Sequence, residues 1–248
     1  MVAKDSLYLY AIVSNDQPYS LGPCGISGEE VYAIGQGDVA AIVSKFALKK
    51  IRPERRHLSA HNQVHRELNN LTSPIPVSFG IISDDANKVK KILTLNQKPL
   101  VEKLNQIHDT MEMGLKVIWN VPDIFSYFVD QYPELKQARD KVFLDNANHN
   151  RDEKIALGRI FDQLLNDNRA QHTQTVEEVL KEYVEDVRHL NCRDEKLVMN
   201  LALLVSKHRE KEFETGIFNA AAKFDDYYSF DYKGPFVPYN FVEMEIDF

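Results

Sequence analysis

The stretch "MEMGLKVIW", Met111–Trp119, reads as the first strand of an element order that decides the fold class. Mostly helical patterns run from Pro122 to about Val187, and a turn-like stretch with a short strand covers Asp186–Glu195. An apolar strand candidate follows at Lys196–Ser206. After it come an amphipathic helix and the stretch "DYYSFDY", which alternates in the manner of a strand. This is the βαββαβ order of a ferredoxin-like domain with extra helices in its first crossover.

The same strand separates two parts of the chain. At 248 residues, the chain is near the size at which a single core tends to split into domains. We therefore predict an α+β protein with an N-terminal mixed α/β unit at residues 1–109. The ferredoxin-like domain at residues 110–248 includes a helical insertion and ends in an aromatic and acidic tail at residues 234–248.

The N-terminal unit begins with a clear strand pattern. "LYLYAIVS", Leu7–Ser14, is rich in aromatic and apolar residues, which favours a buried strand. Two short apolar runs around Gly35–Asp38 predict a β-hairpin. Pro53 can open an amphipathic helix that ends near Asn70, and "SPIPVSFGII", Ser73–Ile82, predicts a further strand.

Charge and cysteine content restrict the possible classes of function. Thirty Lys and Arg residues against 37 Asp and Glu give a net charge of -7, which argues against a general nucleic-acid binder. Cys24 and Cys192 stand alone, as expected in a reducing compartment. The first residues read as a strand rather than a signal peptide, and no apolar run is long enough to span a membrane. We expect a soluble, cytoplasmic protein.

Three histidines are the strongest candidates for metal ligands. His57, His61 and His65 are spaced by four residues on one predicted helix, and this spacing can place two imidazoles on one metal ion. A metal-dependent enzyme that uses this helix is therefore one alternative function. His61 and His65 also share a helix face with Leu58 and Leu68, and packing is the favoured interpretation.

An RNA-binding ferredoxin-like module is the second alternative. Some domains of this fold stack bases on aromatic side chains of the sheet, and Tyr227, Tyr228, Phe230 and Tyr232 would be the candidates. These residues fall on both faces of a strand and lack a basic consensus. Core and edge packing explains them better.

Two segments of opposite charge stand out. Lys45–Arg56 holds six basic residues and one acid, and Phe224–Phe248 holds six acids and one base. Both segments can be solvated runs of charge on the surface. Alternatively, the acidic tail folds back toward the basic segment, or each segment recruits a partner of opposite charge. The sequence leaves these alternatives open.

Several segments together carry a resemblance to a known family. They are "HNQVHREL" (His61–Leu68), "SPIPVSFG" (Ser73–Gly80), "EMGLKVIW" (Glu112–Trp119), "VMNLALLVSKHREKEF" (Val198–Phe213) and "YKGPFVPYNFV" (Tyr232–Val242). In this order and spacing the chain resembles, over nearly its whole length, the gas vesicle protein family usually labelled GvpF/GvpL.

The resemblance implies an accessory or minor structural protein of gas vesicle assembly, associated with the vesicles, and not an enzyme. Its implied partners are the small, very apolar shell subunit, whose aggregation it would prevent, and other vesicle accessory proteins. No cofactor, metal, nucleic acid or lipid membrane is implied. The closing stretch is interpreted as a strap over the protein's own domains, with a partner surface as the alternative. The candidate contact residues are Lys49, Arg52, Arg55, Arg56, Phe236, Tyr239 and Phe241.

Overall fold

The computed structural model describes residues 6–144 and 151–247, and within them the chain forms two sheets and seven α-helices. The strands are β1 (Leu7–Ser14), β2 (Ser20–Gly22), β3 (Val31–Gln36), β4 (Val39–Lys45), β5 (Ile75–Pro76), β6 (Ile82–Ser83), β7 (Thr110–Trp119), β8 (Asp186–His189), β9 (Leu197–Ser206) and β10 (Tyr228–Phe236). The helices are α1 (Arg55–Leu71), α2 (Ala86–Leu95), α3 (Gln97–Gln106), α4 (Ile124–Gln131), α5 (Pro133–Leu144), α6 (Arg151–Leu180) and α7 (Glu210–Ala221).

The chain divides into two compact units. The described residues of the first unit are 6–113, 204–208 and 234–247, and those of the second unit are 114–144, 151–203 and 209–233. The sequence predicts a boundary after residue 109 and places the tail with residues 110–248. In the structure the tail groups with the first unit instead, because three of its apolar side chains, Val237, Phe241 and Val242, are buried.

The first sheet has the strand order β2-β3-β4-β1-β5, and β6 also pairs with β1. The hairpin predicted around Gly35–Asp38 is present: β3 and β4 pair antiparallel, with Gln36 opposite Val39. Gly37 has a φ of 60°, a left-handed conformation that glycine adopts at little cost. The strand predicted at Leu7–Ser14 is β1, which pairs antiparallel with β4.

Both faces of this sheet are covered, which explains the nearly continuous apolar run of β1. Leu7 and Leu9 pack with residues of α2 and α3, whereas Tyr8 and Tyr10 pack with residues of α1. Adjacent side chains of a strand point to opposite faces, so both sets are buried at once. Each fully buried side chain of this size contributes about 1.5–3 kcal/mol to folding.

The prediction of one strand at Ser73–Ile82 is wrong. Only the two-residue strands β5 and β6 form there, and the chain between them turns through Gly80 at a φ of 94°. The prolines and Gly80 allow short pairing with β1 but no continuous ladder. The backbone of this turn reaches β1, since the amide of Gly80 donates to the hydroxyl of Tyr8 at 3.0 Å.

The second sheet has the strand order β10-β7-β9-β8. Strands β7 and β9 confirm the strands predicted at Met111–Trp119 and Lys196–Ser206, and β8 forms inside the stretch predicted to be turn-like. In chain order the elements are one strand, three helices, two strands, one helix and one strand. The ferredoxin-like prediction rests on this order, and that assignment stays a prediction.

The tail packs along the first unit. A turn of 3-10 helix forms at Tyr239–Phe241, and the side chains of Met244 and Ile246 pack against the core that α2 and α3 cover. The amide of Asn96 donates to the carbonyl of Asp247 at 2.8 Å, and the main-chain N–H of Asp247 donates back to Asn96 at 2.9 Å. These contacts hold the end of the tail against α2, α3 and Asn96, which lies between the two helices.

Candidate functional site

The histidines of α1 take part in a buried cluster with three tyrosines. Nδ1 of His61 lies 3.0 Å from the hydroxyl of Tyr8, and Nε2 of His65 lies 2.7 Å from the carbonyl oxygen of Tyr10. The hydroxyl of Tyr239 lies 2.9 Å from Nδ1 of His65 and 3.4 Å from Nε2 of His61. The closing stretch is thereby joined to α1 and β1 of its own unit.

The partners determine which atom donates each hydrogen bond. A carbonyl oxygen can only accept, so His65 donates from Nε2 to Tyr10 and its Nδ1 accepts the hydroxyl proton of Tyr239. The oxygen of Tyr239 is then an acceptor for Nε2–H of His61. Nδ1 of His61 accepts from the hydroxyl of Tyr8, whose oxygen accepts the amide of Gly80. Every ring nitrogen of the pair is used while both imidazoles are neutral.

Burial keeps this histidine pair uncharged. Burial, the larger cause, and repulsion from His65 together lower the pKa of His61 from 6.5 to about 3. Burial also lowers the pKa of His65. His57 is only half-buried, and its Nδ1 lies 3.0 Å from the carbonyl oxygen of Arg52. Within residues 6–144 and 151–247, no group of three or more side chains of the metal-ligating types could hold a metal ion. The hydrogen bonds of His61 and His65 support the packing interpretation.

A cleft of about 630 Å³ opens beside this cluster in the first unit. One wall is the outer face of α1 and the other is the end of β10 with the start of the tail. The lining residues are Asn62, His65, Arg66, Asn69, Asn70, Glu112, Gly234, Pro235, Phe236, Val237, Tyr239 and Asn240. The volume falls in the range of small-molecule sites.

Two buried polar residues lie in the lining of the cleft. Glu112 on β7 is only 6% exposed, and its carboxylate accepts the main-chain N–H of Asn240 at 2.8 Å and the side-chain amide of Asn240 at 2.6 Å. Burial raises the pKa of Glu112, although these two hydrogen bonds act in the opposite direction. Asn69 is 7% exposed, and its Oδ1 has no hydrogen-bond partner among the described residues.

The predicted contact residues fall into three groups. Phe236 and Tyr239 line the cleft, and their side chains are 48% and 40% exposed. Phe241 is only 5% exposed and belongs to the interior, so it is not available to a partner.

The four basic candidates form the third group. Lys49, Arg52, Arg55 and Arg56 are exposed and do not line the cleft, and Arg56 forms an ion pair with Glu54 at 2.9 Å. The structure therefore brings two of the three aromatic candidates, Phe236 and Tyr239, to the cleft and leaves the basic residues elsewhere on the surface.

Sequence reasoning missed Asn69, Glu112 and Asn240. The only signal in the sequence is the spacing of Asn62, Arg66 and Asn69, which places three polar side chains on one face of α1. Glu112 sits in a strand whose other residues are mostly apolar, and its pairing with Asn240 spans 128 positions of the chain. No local pattern contains such a pairing.

Three of the four aromatic residues of the RNA-binding alternative, Tyr228, Phe230 and Tyr232, pack within the second unit, whereas Tyr227 is 51% exposed. The hydroxyl of Tyr228 lies 2.9 Å from Nε2 of His172, and the ring of Phe230 lies 5.3 Å from that of Phe224. Tyr232 makes an edge contact with the ring of Phe213 at 6.3 Å between centroids. These contacts support the packing interpretation.

The family model for gas vesicle synthesis protein GvpL/GvpF matches residues 6–243 of this chain. The chain belongs to this family. Similar proteins include Gas vesicle protein F of a Streptomyces strain, which is 27% identical over 246 residues, covering 96% of this chain and 100% of that protein. Gas vesicle protein F of Haloferax mediterranei is 23% identical over 249 residues, covering 98% of this chain and 96% of that protein.

Solved GvpF structures share the fold. The crystal structure of GvpF from Anabaena matches with a TM-score of 0.85 at 22% identity, covering 97% of this chain and 99% of that one. GvpF from Microcystis aeruginosa matches with a TM-score of 0.82 at 22% identity, covering 96% and 99%. Family membership implies a role in gas vesicle formation. Among the described residues, none of the helices has the length and apolar character needed to cross a membrane.

Proposed function

We propose that this protein is an accessory protein of gas vesicle assembly that binds the apolar shell subunit and prevents its aggregation until it joins the shell. A small apolar subunit with unpaired strand edges aggregates in water unless another protein covers it. The net charge of -7 keeps a protein with this task in solution. The proposal requires no chemical reaction, metal, cofactor, nucleic acid or lipid.

The half-exposed aromatic side chain of Phe236 on the cleft wall carries this proposal. Phe236 is 48% exposed, and Pro235 beside it is also exposed. Aromatic side chains next to a cleft are typical anchors of protein–protein interfaces, since they bury a large apolar area on binding. Phe236 offers the shell subunit this kind of contact.

The segment that presents Phe236 is already held in place. Val237 and Pro238 are buried directly after it, and Tyr239 is fixed to His65 by a hydrogen bond of 2.9 Å. A rigid segment loses little conformational entropy when a partner binds, so more of the contact energy appears as affinity. The strap interpretation and the partner-surface interpretation of the closing stretch are thus compatible. The buried ring of Phe241 anchors the tail to its own unit, while Phe236 stays exposed to a partner.

The basic segment is a second part of the proposal. Lys49, Arg52, Arg55 and Arg56 are exposed and would attract acidic groups on the shell subunit or on other vesicle accessory proteins. Such exposed charges affect the association rate more than the final affinity. Replacing all four by Gln should slow association at low salt and have little effect at high salt.

The decisive experiment is capture of the shell subunit during co-expression. Phe236→Ala should reduce capture about tenfold, because a central aromatic anchor contributes on that order to affinity. Phe218→Ala is the matched control, since Phe218 lies on α7 and is 68% exposed. Both variants should melt like the wild type. Failure of the wild-type protein to capture the shell subunit would refute the proposed function.

A further inference from the structure

We propose that strand β10 pairs edge to edge with β10 of a second copy of this chain, antiparallel and about a twofold axis at Tyr232. Such a contact is the same surface on both copies, as in most symmetric dimers. It would join the four-stranded sheets of the two copies into one continuous sheet. The inference concerns self-association and does not depend on the proposed function.

The first observation is the open edge of β10. In the strand order β10-β7-β9-β8 it is the terminal strand, so among residues 6–144 and 151–247 no strand pairs with its outer side. Its nine residues, Tyr228–Phe236, make it long for an edge strand. Proteins seldom leave such an edge bare, because its unpaired N–H and C=O groups are a template for another strand. We therefore expect a partner strand beside it.

The second observation is the direction of the peptide groups at the middle of β10. The carbonyl oxygen of Lys233 lies toward β7, 3.8 Å from the position that a Cβ atom would take on Gly114. Successive residues of a strand turn their N–H and C=O groups to opposite sides, so those of Tyr232 point away from β7. Tyr232 is also the middle residue of β10. Two antiparallel copies centred there would exchange two hydrogen bonds between their Tyr232 residues.

The third observation is a pair of opposite charges beside this centre. Tyr232 contacts Phe213 and Glu214 of α7, so its side chain lies on the helix-covered face of the sheet. Asp231 and Lys233 lie on the other face, because adjacent side chains of a strand alternate. They form an ion pair at 2.8 Å and their side chains are 40% and 70% exposed, so both charges are accessible to a second copy.

These charges complement one another across the proposed axis. Antiparallel pairing about Tyr232 places Asp231 of each copy opposite Lys233 of the other. The four charges then alternate in sign, and each has two neighbours of opposite sign. Opposite charges facing each other across strands are favourable and like charges are unfavourable. A register centred on Asp231 or on Lys233 would set like charges opposite each other, so the charges favour the register centred on Tyr232.

The same charges favour this chain over a foreign strand. A lysine on an edge strand commonly discourages pairing with other chains. Lys233 has that effect on a partner strand without an acid at the matching position, whereas β10 itself supplies Asp231. Pairing along one strand buries less surface than a permanent dimer requires. We therefore expect a reversible dimer whose population rises with protein concentration.

The first test measures dimerisation by sedimentation equilibrium of the full chain, from low micromolar to millimolar concentration. Lys233→Asp and Asp231→Lys each place like charges opposite one another, and each should raise the dimer dissociation constant about tenfold. The double variant that carries both substitutions restores opposite charges and should dimerise like the wild type. Lys211→Asp, at an exposed position of α7, is the matched control: it changes the net charge as Lys233→Asp does and should leave dimerisation unchanged.

A second test locates the contact in the wild type and needs no variant. The main-chain N–H of Tyr232 points away from β7, so its hydrogen exchange should slow as the protein concentration rises. The N–H of Lys233 faces β7 and should exchange at the same rate throughout. Nuclear magnetic resonance resolves the two amides.

The possible outcomes decide the inference. A wild type that stays monomeric at every concentration would overturn it. Dimerisation that leaves the exchange of Tyr232 unchanged would place the contact on another surface, also against the inference. Equal dimerisation of the wild type and both single variants, or failure of the double variant to recover, would contradict the pairing of Asp231 with Lys233. Recovery in the double variant together with slower exchange at Tyr232 would establish the dimer.

Discussion

Replacement of His61 by Phe should flatten the dependence of stability on pH below neutrality. His61 lies in the first unit, faces Tyr8, Tyr10, His65 and Tyr239, and is only 2% exposed. It is therefore neutral in the folded protein down to about pH 3, whereas in the unfolded chain it becomes protonated below its ordinary pKa of 6.5. The contribution of neutral His61 to the free energy of unfolding is fully present above the ordinary pKa of 6.5. It is lost progressively as the pH falls toward the folded-state pKa of about 3.

The size of the effect follows from the two pKa values. At pH 5 the unfolded chain binds nearly one proton at His61, and the folded chain binds almost none. Integration of this difference from pH 7 to pH 5 gives a loss of about 2 kcal/mol from His61 alone. This is a large part of the roughly 5–15 kcal/mol by which native proteins are stable. His65 titrates in the same direction, because burial also lowers its pKa.

The assay is urea unfolding at pH 7, 6 and 5, followed by circular dichroism and by exchange of the α1 amides. His61→Phe should be less stable than the wild type at pH 7, by about 1–3 kcal/mol, because Tyr8 and Tyr239 each lose a hydrogen-bond partner. Its stability should then fall by about 2 kcal/mol less than that of the wild type between pH 7 and pH 5.

Tyr8→Phe provides the matched control. This variant removes the hydroxyl that bonds to His61 and Gly80 but leaves the imidazole buried, so stability should fall at every pH with the wild-type slope unchanged. Parallel pH profiles of the wild type and His61→Phe would refute the reasoning. An imidazole signal of His61 that titrates near 6.5 in the folded protein would refute it equally.

Other predictions concern stability and are checked by thermal and urea unfolding. Phe241→Ala should cost about 3–5 kcal/mol because the ring is buried, and a loss below about 1 kcal/mol would contradict this placement. Lys207→Met should cost about 1–3 kcal/mol, because the ammonium donates to the carbonyls of Asn69 and Thr72 at the end of α1; an unchanged stability would contradict that role. Gly37→Ala should lower the free energy of unfolding by about 1 kcal/mol, because Gly37 has a φ of 60°. Gly158→Ala, at an exposed position of α6, should raise it by about as much, and equal effects of the two substitutions would contradict both predictions.

Several parts of the fold are readable from local sequence patterns. The strands β1, β7 and β9 and the hairpin at Gly37 follow from apolar runs and turn residues within a few positions of each other. The buried face of α1 follows in the same way from helical spacing. The family resemblance adds information of a different kind, since the segments that carry it are spread over nearly the whole chain.

The cleft depends on contacts between distant positions. Only the tertiary structure shows that Tyr239 bonds to His65 across 174 positions, that Glu112 holds Asn240, and that Asn69 keeps an unpaired acceptor. Local patterns record which face of a helix or strand is apolar, but they do not record which distant segment covers it. For this reason the strands, the hairpin and the amphipathic helix were determined by the sequence alone, whereas the position of the tail and the composition of the cleft were decided by packing.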